Sequence, residues 1–366
     1  MAGTFKKDIF LYPADNFPDP NMIGMRKATG LIIFFLLDFY ITSAQSLPVN
    51  RQLFFSNDSV IETTLTTDIK MLRHHKNKSV WQPASISIQY PGSSVISEQI
   101  GVMPRGIYRK ENCDLAALML DFKKNSSSKL SSLKKLKLVG GCQNGSSAEI
   151  LLLKEYLVYK IYNFISPMGF RVRLLHVVYK DSQQKMKTYS QYAFLIEDIK
   201  DLADRNNCAE VKNKIVNTEA TDRQQMNLVS LFQYMIGNTD WSVRGNHNIK
   251  LMTSRNNISK APYPVPYDFD YAGLVNADYA VPAEDLSIKF VTERLYRGYP
   301  RNMNELQLNL EIFRQKKEVI MTYIKNFTLL NEKEKKEMTR YLDDFYRIIN
   351  DKKSCQTIFI DNARTD

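Results

Sequence analysis

The chain has 366 residues, 44% of them hydrophobic and 24% charged. Those proportions exclude a disordered or fibrous protein and supply enough apolar material for one large domain or two lobes. Lys and Arg number 50 against 39 Asp and Glu, a formal net charge of +11, which favours an anionic partner; no Arg stripe with interleaved aromatics appears, so nucleic acid is not the partner expected.

In chain order, the first feature is "MRKATGLIIFFLLDFYITSAQS", beginning at Met25. A basic start (Arg26, Lys27), an apolar run from Leu31 to Ile41 and a small-residue end at Thr42, Ser43 and Ala44 make a secretory signal peptide. The run is short and broken by Asp38, so no stable membrane span is expected once the signal is removed. The expected division is a segment 1–24 upstream of the true start and a signal peptide at 25–44. A strand-rich N-terminal lobe at 45–198 and a helical C-terminal lobe at 199–366 follow. The expected destination is the periplasm, the cell surface or the medium.

An exported chain is compatible with disulfides. The four cysteines are Cys113, Cys142, Cys208 and Cys355, and no CxxC pair occurs, so a zinc site is not indicated. Three pairings are open, and Cys113–Cys142 is a reasonable one because both lie near strand-like segments of the N-terminal half.

Residues 45–145 read as strands. "SVIETTLTTDI" and "ASISIQY" alternate, and "LAALMLDF" and "LKKLKLVGG" are short apolar runs bounded by turn formers. Residues 148–166 carry apolar side chains at three and four spacing without Gly or Pro, which predicts one long helix. "RVRLLHVVYK" and "YAFLIEDI" follow as strands. Thr221 and Gln224 form a capping box before a helix that stops at Gly237. "NIKLM" and "YPVPYDFD" read as two strands around the turn "SRNNISK", and helices follow at 303–327 and 332–351. The whole is an α+β protein.

The polar gap "GNTDWSVRGNHN" lies between helix and hairpin. With the turn centred near Ile258, antiparallel pairing places Asn248 opposite Asp268, and Asp240 points to the same region. Two or three oxygen ligands facing one spot suit Mg²⁺, with phosphate and water oxygens completing its shell.

The run helix, "GNTD", "HN", strand, hairpin, "PYDFD" resembles the catalytic half of the atypical protein-kinase-like families of CotH and HipA type. That resemblance implies a two-lobed kinase-like fold. It matches Asp240 to the catalytic-loop Asp and Asn248 to the metal-binding Asn. Asp268 matches the second metal-binding Asp, and Asp270 the extra acidic residue of the CotH pattern. Asn246 lies six residues after Asp240 and Asn248 eight, where about five is usual in these families; Asn248 is preferred because it abuts the strand. In the N-terminal half, Lys137 on "LKLVGG" and Glu155 on the long helix match the phosphate-binding Lys and its helix Glu. "RGIYRK" resembles the CotH element that lies over the nucleotide and supplies Arg105, with Arg109 beyond it. Glu197 falls near an adenine edge on the strand between lobes.

No GxGxxG, Walker, GxSxG or HExxH motif is present. Two readings stand. One is an exported kinase-like protein that binds ATP with Mg²⁺ or Mn²⁺ and phosphorylates a protein hydroxyl in the cell envelope. The other is a catalytically inactive kinase-like binding or structural protein.

Overall fold

The computed structural model describes residues 49–365 except 107–109, 112, 116, 125–128, 143–144, 213 and 258–259. The expected signal peptide and the segment before it lie outside the described residues.

The strand-rich part forms from segments of period two. Helix α1 (Arg51–Phe54) leads into β1 (Ile61–Thr67), where Ile61, Thr63, Leu65 and Thr67 are buried and alternate with more exposed residues. After α2 (Ile69–His74), β2 (Gln82–Gln89) repeats the pattern with Gln82, Ala84, Ile86 and Ile88 inside. Strands β3 (Ile96–Arg105), β4 (Ala117–Asp121) and β5 (Lys135–Gly140) add antiparallel neighbours. Helix α3 (Ser146–Ile165) intervenes before the antiparallel pair β6 (Val172–Asp181) and β7 (Tyr189–Ile196).

The seven strands close into a barrel in the order β1-β2-β3-β4-β5-β7-β6. Closure is made by the parallel pairing of β6 on β1, from Ile61 opposite Leu175 to Thr67 opposite Asp181. A closed ladder leaves no unpaired edge among these strands. Leu65, Ile86, Ile100, Leu118, Leu136, Leu175 and Leu195 belong to one buried cluster, to which α1 and α2 add Phe54, Ile69 and Leu72. A closed seven-stranded barrel is not the usual strand-rich lobe of a protein kinase, and on this point the expected fold is corrected. The closing contact joins residues more than a hundred positions apart, beyond the reach of any local pattern.

Helix α3 is buried on nearly every side from Leu152 to Tyr162. It packs on β6 and β7 and on the C-terminal helix α6 (Met303–Lys325). A helix apolar all round belongs in a core, and here that core is a second cluster containing Val139, Leu174 and Phe194 together with residues of the helical part.

The helical part opens with α4 (Ile199–Arg205) and β8 (Cys208–Glu210), then α5 (Arg223–Ile236). Strands β9 (Ile249–Ser254) and β10 (Tyr263–Pro266) join β8 in an antiparallel sheet of order β10-β9-β8. Helices α6, α7 (Glu332–Asn350) and α8 (Lys352–Gln356) complete it. The cap of α5 is Asp222, whose side chain accepts from Gln225 N–H at 2.9 Å. Thr221, the expected cap, sits one residue early and donates its hydroxyl to the Thr218 carbonyl at 2.6 Å. Gly237 ends α5 at φ 67°, and a Cβ there would collide with the Tyr341 hydroxyl, so both backbone and packing require glycine.

Cys113 and Cys142 are bonded, with Cα atoms 4.7 Å apart. Cys208 and Cys355 are free and buried. Among the described residues no helix is long and apolar enough to cross a membrane.

Candidate functional site

A cleft of about 450 Å³ draws its walls from three sources. The barrel supplies Arg105 at the end of β3 and Lys137 on β5. Helix α3 supplies Glu155 and Tyr159, one turn apart on one face. The segments around β9 and β10 supply Asp240, His247, Asn248, Tyr267, Asp268 and Asp270. Seven of the eight expected site residues therefore border one space.

Asp240 is held by the turn that follows α5. Its N–H donates to Asn238 Oδ1 at 3.0 Å, and Asn238 Nδ2 donates to Gln233 Oε1 at 3.0 Å. Both carboxylate oxygens of Asp240 are engaged. Oδ2 accepts from Asn248 Nδ2 at 2.9 Å, and Oδ1 lies 2.6 Å from His247 Nε2. Asn248 Nδ2 also donates to the Asp240 carbonyl at 2.8 Å.

The expected register of the hairpin is corrected by one residue. Ile249 pairs with Pro266, and Tyr267 N–H donates to the Asn248 carbonyl at 3.0 Å, so Tyr267 stands opposite Asn248. The observed pairing is one residue short of the expected one, and a one-residue slip exchanges the faces of a strand. The exchange is offset because Asn248 and Asp268 both leave the extended conformation, at φ 52° and 63°. Asn and Asp enter this left-handed region more readily than other side chains. Both residues border the cleft despite the slip.

Asp268 is further fixed from α3, since its N–H donates to the Tyr159 hydroxyl at 2.9 Å. Burial, and secondly the Glu155 and Asp268 carboxylates, push the Tyr159 hydroxyl well above its ordinary range, so it stays protonated. Asp270 Oδ2 accepts from the Tyr279 hydroxyl at 3.1 Å.

The opposite wall is cationic. Burial pushes the Lys137 ammonium down to about 8, and the neighbouring charges of Arg105 and Lys250 push the same way against Asp268 and Asp198. Lys137 lies 5.7 Å from the centre of the Tyr267 ring, and Lys250 lies 5.9 Å from the same centre. Among the described residues Lys137 makes no ion pair with Glu155, although both border the cleft.

Glu197 does not border it. Its buried carboxylate accepts from Arg205 Nε at 3.0 Å, from Arg205 Nη2 at 3.1 Å and from Arg171 N–H at 3.0 Å. Arg205 also donates to the Pro167 carbonyl. The expected place beside an adenine is therefore corrected: Glu197 ties α4 to the turn after α3, and its neighbour Ile196 meets the cleft. Arg109 lies outside the described residues.

Three further residues belong to the site. His247 directly precedes Asn248, Tyr267 directly precedes Asp268, and Tyr159 follows Glu155 by one helical turn. Only the last spacing is a signal that the sequence carries by itself.

The donor set fits a hard cation. Asn248 uses its Nδ2 on Asp240, which leaves Oδ1 without a hydrogen-bond partner among the described residues. The Asp268 carboxylate likewise accepts no hydrogen bond from them; its contact with Tyr159 is through the backbone. No group of three His, Cys, Asp or Glu side chains converges among the described residues. Magnesium is commonly held by one or two carboxylates with phosphate and water oxygens, not by a protein cage.

No protein-family model matches the chain, and no curated protein matches it. Among solved structures it is similar to the crystal structure of a Helicobacter pylori proinflammatory kinase, CtkA. The likeness has 12% identity and a TM-score of 0.36, and covers 67% of this chain and 91% of that one. An overlap that slight transfers no chemistry from one chain to the other.

Proposed function

We propose that the cleft binds ATP with Mg²⁺ or Mn²⁺ and that the chain transfers the terminal phosphoryl group to a hydroxyl of a protein, in the manner of a kinase. The observation that carries this reading is one space bordered by Arg105 and Lys137 on one side and by Asp240, Asn248 and Asp268 on the other. Phosphoryl transfer asks little covalent chemistry of a protein and much positioning and charge neutralisation.

The roles proposed on that reading are these. Lys137 and Arg105 receive the phosphates, and Arg offers a planar fork to two oxygens. Asn248 Oδ1 and the Asp268 carboxylate hold the cation, with Asp270 beside them. The cation, when bound, neutralises charge on the phosphate oxygens. Asp240, oriented by Asn248 and His247, accepts a hydrogen bond from the acceptor hydroxyl. Ala117, Val139 and Ile196 give the cleft apolar wall for a base. The acceptor lies in the cell envelope if the chain is exported as its N-terminal segment suggests.

A second reading, a kinase-like protein that binds without catalysing, draws on one observation. Both oxygens of Asp240 already have partners, His247 Nε2 on Oδ1 and Asn248 Nδ2 on Oδ2.

Thermal denaturation with ATP and with Mg²⁺ or Mn²⁺ tests the site, because a ligand that binds only the folded state stabilises it, by about 2.7 kcal/mol at a hundredfold excess over Kd. Stabilisation that disappears in Asp268→Ala is the expected result. No shift at millimolar ligand overturns nucleotide binding. Radiolabel transfer from ATP to casein or to the chain itself then separates the two readings.

A further inference from the structure

The three successive carbonyls around the proposed acceptor-binding carboxylate are all claimed by side chains from elsewhere. The Asp240 carbonyl takes Asn248 Nδ2. The two flanking carbonyls, of Thr239 and Trp241, both take Arg297 Nη1, the latter at 3.0 Å. Arg297 also lies over the Trp241 ring, 5.5 Å from its centre. Thr239 and Trp241 are themselves buried, at 8% and 4% exposure. The guanidinium therefore reaches the backbone immediately before and after Asp240 from a segment 57 residues later.

That segment is a brace along its length. Arg294, three residues before Arg297, donates to the Met235 carbonyl near the end of α5 at 3.3 Å and also to the Tyr341 carbonyl on α7. The loop after α5 has little regular structure of its own, since Gly237 stops the helix and strand β9 begins at Ile249. Its far half is held by an antiparallel bridge between Ser242 and His247; around Asp240 its path is set by Asn238 on the Asp240 N–H, by Arg297 on the flanking carbonyls and by Asn248 from the start of β9.

We infer that Arg297 is a positioning residue for Asp240. By holding both flanking peptide planes it fixes where the carboxylate stands relative to the cleft, without itself bordering the cleft. The inference rests on the kinase reading for its catalytic consequence; its structural content, that Arg297 holds the loop around Asp240, does not. Both carbonyls are taken by one atom, Nη1, through its two N–H bonds in the guanidinium plane. Arg297→Lys keeps the charge and offers a single ammonium with three donors, so it is the conservative variant that tests whether the guanidinium plane itself is required. Arg297→Met keeps apolar cover on Trp241 and removes every donor.

The test compares the wild-type chain with Arg297→Lys and Arg297→Met in three measurements at matched folded fraction. Hydrogen exchange at the amides of 239–242 is expected to rise at least tenfold in Arg297→Met, while β5 and α3 keep their protection. Stabilisation by ATP and Mg²⁺ is expected to change less than twofold in affinity. The rate constant for phosphoryl transfer is expected to fall about 10–100-fold with KM for ATP unchanged, as a misplaced catalytic group costs about a hundredfold. In a separate variant, Arg297→Ala, which leaves room for a free guanidinium, added methylguanidinium is expected to restore part of the rate. Unchanged exchange at 239–242 overturns the inference, and so does a rate that stays at the wild-type level. Loss of nucleotide affinity in step with the rate overturns it too, because that marks general loosening of the cleft. If the wild-type chain transfers no phosphate, the kinase reading fails by itself and the exchange measurement still decides whether Arg297 holds the loop.

Discussion

Asn248 Nδ2 donates at once to the carbonyl and to the carboxylate of Asp240, at 2.8 and 2.9 Å, across a sequence separation of eight. Asn248 does so from a backbone at φ 52°, and its side chain is almost wholly buried. Two requirements thus meet at one position: a side-chain amide of the right reach, and tolerance of the left-handed conformation. They are separable by substitution. Asn248→Ala and Asn248→Gly lose the same hydrogen bonds, each worth about 1 kcal/mol. Alanine additionally suffers a penalty of about 1–2 kcal/mol at this φ, whereas glycine's greater freedom when unfolded costs about 0.4–1 kcal/mol. Asn248→Gly is therefore expected to be more stable than Asn248→Ala by about 0.5–1 kcal/mol, the reverse of the usual order in helices. Urea denaturation of the two variants checks the sign.

Lys137 predicts a dependence on pH. Its ammonium titrates near 8 in the folded chain against 10.5 ordinarily, because burial and the charges of Arg105 and Lys250 disfavour the proton. A folded value below the unfolded one means the unfolded state binds more protons between those values, so stability from this group rises with pH across 8 to 10.5. Below 8 both states are protonated and the penalty is complete. A bound polyphosphate favours the charged form, so nucleotide affinity is expected to fall as pH passes 8. Calorimetric titration with ATP and Mg²⁺ from neutral to alkaline pH reads this directly. Lys137→Arg, charged throughout, is expected to flatten the profile; an equally steep fall in that variant assigns the titration to another group.

The Cys113–Cys142 bond closes a loop of 29 residues that contains all of β4 and β5 but not Arg105. Closing a loop of that length removes freedom from the unfolded chain worth about 3–4 kcal/mol. Its effect is on the barrel wall that carries Lys137. Cys113→Ser is expected to lower the unfolding free energy by about that amount, in agreement with the wild-type chain under reductant. Thiol counting in denaturant without reductant is expected to find two reactive cysteines, Cys208 and Cys355. Four would mean the bond is not formed in the purified protein.

Local pattern carried the elements and some of their ends. The long helix expected at 148–166 is α3 at 146–165, and the helix stop at Gly237 is where it was expected, because apolar spacing and a glycine C′ are encoded within a few residues. Strand β3 has no clear local signature: Gly101 and Pro104 interrupt its pattern, and its pairing with β2 and β4 is what makes it a strand. Closure of the barrel by β6 on β1 is a tertiary event with no local signature. In the site, Asp240, Asn248 and Asp268 were legible because short polar residues stand between strongly periodic segments. The Lys137 wall was legible only through the family resemblance. Arg297 was not legible at all, since its partners are main-chain carbonyls and carbonyls leave no trace in side-chain identity.

Glu197 shows the converse case, a residue whose type suggests ligand binding and whose contacts are those of a strut. With 4% of its side chain exposed, it takes a two-point hydrogen bond from Arg205, itself 12% exposed, and caps the Arg171 amide. Removing one member of such a pair leaves a buried charge uncompensated, at a cost of about 3–5 kcal/mol. Some of that is recovered because Arg205 retains the Pro167 and Gly169 carbonyls. Glu197→Ala is therefore expected to lose about 3 kcal/mol of stability while leaving nucleotide affinity within twofold once the folded fraction is matched. Denaturant unfolding and ATP titration on the same preparation check both halves. A variant that folds as well as the wild-type chain but binds ATP tenfold more weakly would return Glu197 to the cleft and displace Ile196 from the wall assigned to it.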